Sequence, residues 1–240
     1  MQERMSTPRL LVAQTGTTHL HGDYPRWFER ALGTRLPVLR AHEGETLAAA
    51  MGRARPQGII VTGSPLSVMD EAPWMLRLGA DLLEAGARGT PVLGVCFGHQ
   101  LLARVAGGGV VLNPRGREIG TVQVRLTEAG RRDPLFASWA EGELVEVQAT
   151  HLDAVDPLPP GATLLASNEN CAAQAFRLSE TVAGVQFHPE LWPEALGDLI
   201  ISRKDRLVAE GRDLQALIAA VHEVRAAALL HAFAAQAAHA

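Results

Sequence analysis

The sequence predicts an α/β fold with a mostly parallel sheet and helices on both of its faces. Short apolar runs alternate with stretches in which apolar residues recur at helical spacing, which is typical of parallel strands joined by helices. Glycine and proline residues mark the ends of several runs, as they do where a strand passes into a loop. In the first half we predict strands at 9–13, 36–41, 58–62 and 91–95, and helices at 24–32, 47–51, 72–87 and 99–105.

The second half is richer in β segments. After the glycine run 107–109 we predict strands at 110–112, 120–126, 144–149, 163–166, 172–176 and 182–187, and we expect them to extend the sheet. From residue 193 onward apolar residues recur at helical spacing, which predicts helices. We therefore predict a domain over residues 1–200. A C-terminal helical extension over 201–240 is expected to pack on the same domain or on a partner, a homodimer included.

Composition excludes several function classes. The 240 residues carry 22 Lys and Arg against 26 Asp and Glu, a net charge of −4, with no concentrated basic face. We therefore expect no nucleic-acid partner. Lys204 is the only lysine and lies outside any glycine-rich loop, so no Walker-type nucleotide site is predicted. Because we find neither an apolar leader nor an uninterrupted apolar stretch of about 18 residues, we expect a cytoplasmic protein without a membrane span.

The two cysteines, Cys96 and Cys171, are too few for a disulfide framework. Cys171 begins an apolar β run without flanking glycines, and we predict that it lies in or near the core. The cysteines and histidines show neither C-x-x-C nor H-x-x-x-H spacing. We therefore expect no metal site, and the sequence calls for no cofactor.

The most informative segment is 94–100, which reads GVCFGHQ. It places Cys96 between two glycines, after an apolar strand and before a helical run. This is the layout of a nucleophile elbow, in which small neighbours permit a tight turn that exposes the nucleophile. The N-terminus of the following helix leaves backbone N–H groups for a developing oxyanion. The alternative is a small buried cysteine at a strand end.

Among the nine histidines, His188 has the best local support for a proton-transfer role. It ends an apolar β run and precedes Glu190 by two residues. In an extended segment this spacing places both side chains on one side, so the carboxylate orients the imidazole while its other nitrogen faces a thiol. Pro189 stiffens the backbone between them. The sequence therefore predicts that Cys96, His188 and Glu190 act together.

These motifs resemble those of the class I, or triad, glutamine amidotransferases, which carry a G-x-C-x-G-x-Q elbow and a downstream H-P-E. Two further segments match: 61–65, VTGSP, looks like the family's glycine turn, and 150–155, THLDAV, looks like its S-H-G-D-x-V segment. The resemblance covers roughly residues 9–200 and is strongest to the amidotransferase domain of GMP synthase and its free-standing relatives. It implies a flavodoxin-like sheet.

The resemblance also implies roles for individual residues. Cys96 would attack the side-chain carbonyl of glutamine to form a γ-glutamyl thioester, His188 would move protons, and Glu190 would orient the imidazole. The backbone N–H groups of Gly63 and Phe97 would form the oxyanion hole, where a glycine avoids a Cβ clash. The substrate pocket would be lined by Ser64, Gln100, Thr150, His151, Leu152 and Asp153.

Two residues of the 150–155 segment need separate treatment. Leu152 stands where the family usually has glycine, and its side chain would alter how the α-amino and α-carboxylate groups of the substrate are held. His151 precedes Asp153 by two residues, and one interpretation is that these two residues form a second catalytic pair. We favour a pocket-lining or structural role for His151.

Three functions remain open at this stage. The leading one is hydrolysis of the glutamine amide to glutamate and ammonia, with a separate synthetase subunit as the acceptor, because no ATP-binding domain is expected within these residues. The second is a free-standing peptidase or amidase that cleaves γ-glutamyl compounds with the same three residues. The third is an inactive regulatory or ligand-binding relative.

Overall fold

The computed structural model describes residues 8–139 and 144–239. The expectation that the N-terminus carries no apolar leader concerns residues that lie almost entirely outside this part of the chain. The strands are β1 (Leu10–Gln14), β2 (Val38–Arg40), β3 (Gly58–Val61), β4 (Val92–Val95), β5 (Val110–Leu112), β6 (Glu118–Leu126), β7 (Leu144–His151), β8 (Asp153–Val155), β9 (Thr163–Ser167), β10 (Ala175–Arg177) and β11 (Val182–Val185). The helices are α1 (Tyr24–Leu32), α2 (Leu47–Ala54), α3 (Pro73–Ala87), α4 (Phe97–Val105), α5 (Glu128–Arg132), α6 (Pro193–Ser202), α7 (Lys204–Ala209), α8 (Leu214–Ala219) and α9 (Ala227–Ala238).

Within the described residues, nine strands form one sheet in the order β2-β1-β3-β4-β11-β10-β9-β6-β7. The first five strands are parallel to one another, and each of the following pairs, from β11–β10 to β6–β7, is antiparallel. The predicted mostly parallel sheet is confirmed. β11 pairs with β4, with Gly184 opposite Gly94, although about ninety residues separate them along the chain. The segments that follow β4 and β11 therefore begin side by side.

Helices cover both faces of this sheet, as predicted. Alternate residues of β1 point to opposite faces, so that Val12 packs with Phe28 of α1 and Phe233 of α9, whereas Leu11 packs in the cluster formed by α2, α3 and α4. Because both faces are covered, β1, β3, β4 and β11 are buried along their whole length. This explains why they read as continuous apolar runs in the sequence.

Several predicted strands need correction. β5 does not extend the main sheet, because it pairs with β8, an unpredicted strand, in a separate two-stranded sheet. The Gly109 carbonyl accepts from the Asp156 N–H at 3.0 Å and the Gly109 N–H donates to the Pro157 carbonyl at 2.9 Å, which brings the two segments together at this point. The strand predicted at 172–176 begins only at Ala175, because the Asn168 side chain accepts from the Cys171 N–H and holds a turn before it. The strand predicted at 182–187 ends at Val185.

The C-terminal helices pack on the rest of the chain in two places. Leu207 of α7 lies in a buried cluster with Leu196 of α6, and Phe233 of α9 lies in the core under the sheet. Helix α6 begins at Pro193 and runs across residue 200. The division into residues 1–200 and 201–240 therefore stays a prediction, and its boundary falls inside a helix.

The packing of α9 is testable by truncating Phe233 to alanine. This ring is 2% exposed, and its removal is expected to cost about 3–5 kcal/mol of unfolding free energy, because a large core cavity replaces it. Urea unfolding measures the loss. His231→Ala is the matched control, since His231 is exposed on the same helix. A cost for Phe233→Ala as small as that of the control would contradict the packing of α9 on the core.

Candidate active site

Cys96 occupies the turn between β4 and α4. Its backbone has φ +51° and ψ −99°, and its N–H donates to the Val185 carbonyl of the neighbouring strand at 2.8 Å. A positive φ is strained for a residue with a side chain, and such strain is concentrated at functional sites. The structure thus forms the elbow that the sequence predicts. Helix α4 begins at Phe97, two residues earlier than predicted.

The two glycines around Cys96 are required by close backbone approach. A Cβ on Gly94 would lie 2.5 Å from the carbonyl carbon of Gly98, and a Cβ on Gly98 would lie 2.6 Å from the carbonyl oxygen of Val61. Side chains at either position would push α4 away from the strands beneath it. The G-x-C-x-G pattern therefore has a direct steric cause.

His188 and Glu190 lie in the turn that follows β11. The Nδ1–H of His188 donates to Glu190 Oε1 at 2.7 Å, and both side chains are buried. The backbone between them is a turn, so the extended segment used in the sequence argument is wrong, although the two side chains do meet. The His188 N–H donates to the Gln148 carbonyl at 2.8 Å, which fixes the turn on β7. His188 Nε2 makes no hydrogen bond within the described part of the chain.

Gly63 shows how closely the predicted residues approach one another. A Cβ at this position would lie 2.9 Å from Cε1 of His188 and 3.7 Å from the Cβ of Cys96. Gly63 therefore packs against both the imidazole and the cysteine. In the described residues, neither its backbone N–H nor that of Phe97 donates a hydrogen bond. Both N–H groups remain available to a ligand.

The charge state of His188 is set by its neighbours. Burial alone lowers the pKa of this imidazole, but the Glu190 carboxylate and the Cys96 sulfur act in the opposite direction, and the pKa rises to about 10. The imidazolium is therefore the stable form at neutral pH. Its charged form is favoured both by the Glu190 carboxylate on Nδ1 and by the Cys96 sulfur.

A cleft of about 570 Å³ opens beside Cys96 and Phe97. Its wall includes every pocket residue implied by the resemblance: Ser64, Gln100, Thr150, His151, Leu152 and Asp153. The side-chain amide of Gln100 donates to the Asp153 carbonyl at 2.9 Å, and Ser67 donates to the Asp153 carboxylate at 2.6 Å. The half-buried Leu152 forms part of this wall.

His151 does not pair with the Asp153 carboxylate. Its Nδ1–H donates to the Asp153 backbone carbonyl at 3.0 Å, and its Nε2 lies 2.9 Å from Glu118 Oε2. Glu118 also accepts from Asn168 at 2.6 Å and from Gln174 at 2.5 Å. Burial raises the pKa of Glu118, but these hydrogen bonds and the charge of His151 lower it overall. The sequence did not identify this buried network.

A further part of the cleft wall was not predicted from the sequence. It is formed by Arg117, which immediately precedes β6, and by residues at the junction of α6 and α7: Ser202, Arg203, Asp205 and Arg206. Arg203 donates to the Thr150 hydroxyl, and Arg117 forms an ion pair with Glu210 at 3.1 Å. The only sequence signal was the three-residue spacing of two arginines near the end of a predicted helix.

Other reactive side chains are buried away from this cleft. Burial raises the pKa of the Cys171 thiol to about 12, which agrees with its predicted place in the core. Burial also lowers the pKa of His99 to about 3, and its ring packs on Phe176 with centroids 4.5 Å apart. A second cavity, of about 680 Å³, lies near the amino ends of β4, β9 and β11, where Pro91, Thr163 and Thr181 line it without a cysteine.

Residues 8–139 and 144–239 contain no group of three or more His, Cys, Asp or Glu side chains arranged to hold a metal ion. None of their helices combines the length and apolar character needed to cross a bilayer.

Comparison with known proteins identifies relatives. Residues 29–205 match the family model of glutamine amidotransferase class-I. A glutamine-hydrolysing GMP synthase of Caldicellulosiruptor saccharolyticus is 38% identical over 148 residues, covering 61% of this chain and 27% of the synthase. Gamma-glutamyl peptidase 3 of Arabidopsis thaliana is 31% identical over 146 residues, covering 60% of this chain and 58% of the peptidase. The chain thus spans only about a quarter of the first relative and little more than half of the second.

A solved structure shares the fold over almost the whole chain. The crystal structure of a glutamine amidotransferase of Thermotoga maritima superposes with a TM-score of 0.78 and covers 96% of this chain and 98% of its own. The two sequences are 22% identical, so this likeness concerns the fold alone.

The pKa of His188 is testable with Glu190→Gln. Removing this carboxylate is expected to lower the pKa of His188, because burial then opposes the imidazolium with less compensation. The imidazolium is retained below the histidine pKa and lost above it, so the variant loses it at lower pH than the parent. Nitrogen-15 NMR of labelled histidine, assigned with His188→Asn, measures both values. Glu146→Gln is the control, because Glu146 raises only the pKa of exposed His222. An unchanged His188 titration in Glu190→Gln would contradict the pairing.

The steric role of Gly98 is testable with Gly98→Ala. We expect a loss of about 1–3 kcal/mol in unfolding free energy, because the added methyl group would meet the Val61 carbonyl. Gly197→Ala is the matched control: no atom lies within 4 Å of its added Cβ, and alanine gains up to about 1 kcal/mol over glycine in a helix. Thermal and urea unfolding compare the two. Equal stability changes would show that the elbow tolerates a side chain.

Proposed function

Because the chain belongs to the glutamine amidotransferase class-I family, we propose that it hydrolyses the side-chain amide of glutamine through a γ-glutamyl thioester on Cys96. One observation carries this proposal. Cys96 stands in a strained elbow at the edge of a cleft, and a buried His188–Glu190 pair packs against the same glycine that borders it. A nucleophile, a proton carrier and a group that orients the carrier are the components that acyl transfer needs.

In the first step the Cys96 thiolate attacks the amide carbon of the substrate. A C–S bond forms, and negative charge develops on the carbonyl oxygen, which receives hydrogen bonds from the N–H groups of Gly63 and Phe97. The His188 imidazolium then gives its Nε2 proton to the amide nitrogen. The C–N bond breaks, ammonia leaves, and the γ-glutamyl thioester remains.

In the second step a water molecule attacks the thioester. His188, now neutral, takes a proton from this water through Nε2, while Glu190 keeps the Nδ1–H in place. The C–S bond breaks, glutamate leaves, and the thiolate and imidazolium are restored. The balance is one glutamine and one water consumed for one glutamate and one ammonia. The raised pKa of His188 suits the first step, because it keeps the acid protonated at neutral pH.

The proposed partner is a separate synthetase subunit that consumes ammonia. The similarity to a glutamine-hydrolysing GMP synthase, of which this chain matches 27%, supports a partner that carries the remaining chemistry. The proposed compartment is the cytoplasm, where reducing conditions keep cysteines as thiols. The thioester steps use only side chains and backbone of this chain, and the proposal includes no cofactor.

A second candidate is cleavage of γ-glutamyl amides other than glutamine. The cleft of about 570 Å³ is larger than a glutamine side chain needs, and the chain is similar to gamma-glutamyl peptidase 3 of Arabidopsis thaliana. The same thioester forms, but an amine leaves in place of ammonia. Turnover of γ-glutamyl peptides much faster than glutamine would favour this candidate over the first.

The nucleophile is testable with Cys96→Ala. We expect kcat to fall by at least about a thousandfold, because no other side chain supplies the thioester. Release of ammonia and glutamate from glutamine, and of amine from a γ-glutamyl anilide, measures turnover. Cys171→Ala is the matched control and is expected to keep activity, because this thiol is buried away from the cleft. Circular dichroism confirms that both variants are folded.

A glutamine-analogue electrophile provides an independent check on the same residue. We expect it to label Cys96, as identified by peptide mass spectrometry, and to leave Cys171 unmodified. Labelling of Cys171 alone, or full activity in Cys96→Ala, would refute the proposed nucleophile. Absence of both labelling and turnover would favour the inactive relative.

A further inference from the structure

Two guanidinium groups face the cleft from the start of α7. Arg203 immediately precedes this helix and Arg206 follows one turn later, so both project from the same side. Both line the cleft that contains Cys96. They lie beyond the motifs of the elbow, the glycine turn and the H-P-E segment, and no step of the thioester mechanism uses them.

Neither guanidinium has a carboxylate partner within the described chain. Arg117, on the same wall, is neutralised by Glu210. The half-buried Arg203, in contrast, donates only to the Thr150 hydroxyl, and Asp205, which lies between the two arginines in sequence, forms an ion pair with neither. Like charges one helical turn apart repel each other. Burial lowers the pKa of Arg203, which reflects the cost of holding this cation without an anion.

The same cleft also offers hydrogen-bond acceptors. Both hydrogen bonds of the Gln100 amide are made by its nitrogen, to the Asp153 carbonyl and to Gln186. Its oxygen has no partner among the described residues, and the Asp153 carboxylate receives one hydrogen bond, from Ser67. These oxygens suit the α-ammonium group of a γ-glutamyl unit. The cleft therefore holds both unpaired cations and acceptor oxygens.

We propose that the preferred substrates are γ-glutamyl amino acids, in which the leaving amine carries its own carboxylate. Glutamine brings one carboxylate to two unpaired guanidinium groups, whereas a γ-glutamyl amino acid brings two. Arg203, held against Thr150, receives the α-carboxylate of the γ-glutamyl unit. Arg206, which is exposed at the cleft, receives the carboxylate of the leaving amino acid. This inference rests on the proposed thioester chemistry, and it favours the second candidate function and specifies its substrate class.

The test compares two substrates that differ only in the carboxylate of the leaving group: γ-glutamylglycine and γ-glutamylglycinamide. We expect the parent enzyme to favour γ-glutamylglycine by about tenfold in kcat/KM, because one charge-assisted hydrogen bond is strong enough to produce a preference of this size. In Arg206→Gln this preference should fall to about one, through a higher KM for γ-glutamylglycine at nearly unchanged kcat. The rate on γ-glutamylglycinamide should not change.

Arg203→Gln tests the other half of the proposal. It is expected to raise KM about tenfold for both dipeptide substrates and for glutamine, since all three carry the α-carboxylate, and Arg203→Lys should recover part of the loss. Lys204→Gln removes a positive charge from the same helix without facing the cleft, and it is the control for a general field effect. It should leave the preference for γ-glutamylglycine intact.

Several outcomes would overturn this inference. They are a parent enzyme that does not distinguish the two dipeptide substrates, an Arg206→Gln variant that loses equal activity on both, and a Lys204→Gln variant that matches Arg206→Gln. Failure of the proposed function gives a different result, because no γ-glutamyl compound would then be cleaved in a Cys96-dependent manner. Turnover without a carboxylate preference refutes only the role of the two arginines.

Discussion

The parallel pairing of β4 with β11 is the constraint on which the site depends. It joins the Cys96 N–H to the Val185 carbonyl and places the segment that carries His188 beside the elbow. Helix α4 lies almost against the strands, and the glycines at 94 and 98 make this approach sterically allowed. Cys96, with its positive φ, lies between β4 and this helix. The residue is only 7% exposed, but it borders the cleft, so the cleft provides its access to a substrate.

Two buried histidine–glutamate pairs lie near the cleft, and their hydrogen bonds distinguish them. Both ring nitrogens of His151 face acceptors, the Asp153 carbonyl and Glu118, so this imidazole has no free position for proton transfer. His188 uses only Nδ1, on Glu190, and its Nε2 is left without a partner among the described residues. A proton carrier needs such a free nitrogen. His151 instead anchors the cleft wall, in agreement with the pocket-lining role favoured from sequence.

The sequence predicts those features that depend on neighbours along the chain. Because the elbow and the H-P-E segment each occupy a few consecutive residues, the sequence alone indicates their local chemistry. The alternation of apolar runs and helical stretches likewise predicts the sheet. The Glu118 network was not predicted, because its members come from β6, β7 and two later loops and follow no regular spacing along the sequence. β8 was missed for a similar reason: its three residues pair with β5 only after the chain folds back at Gly109.

The wall formed by α7 links substrate choice to the stability of the C-terminal helices. Arg203 hydrogen-bonds to Thr150 of β7, and Arg117, immediately before β6, pairs with Glu210 just after α7, so polar contacts attach this helix to segments that line the cleft. Leu207 buries the opposite side of α7 against α6. A change that alters the position of α7 therefore moves both unpaired guanidinium groups relative to Cys96. Leu152 lines the same cleft, so its side chain and the two guanidinium groups together bound the space beside Cys96 in which a substrate would lie.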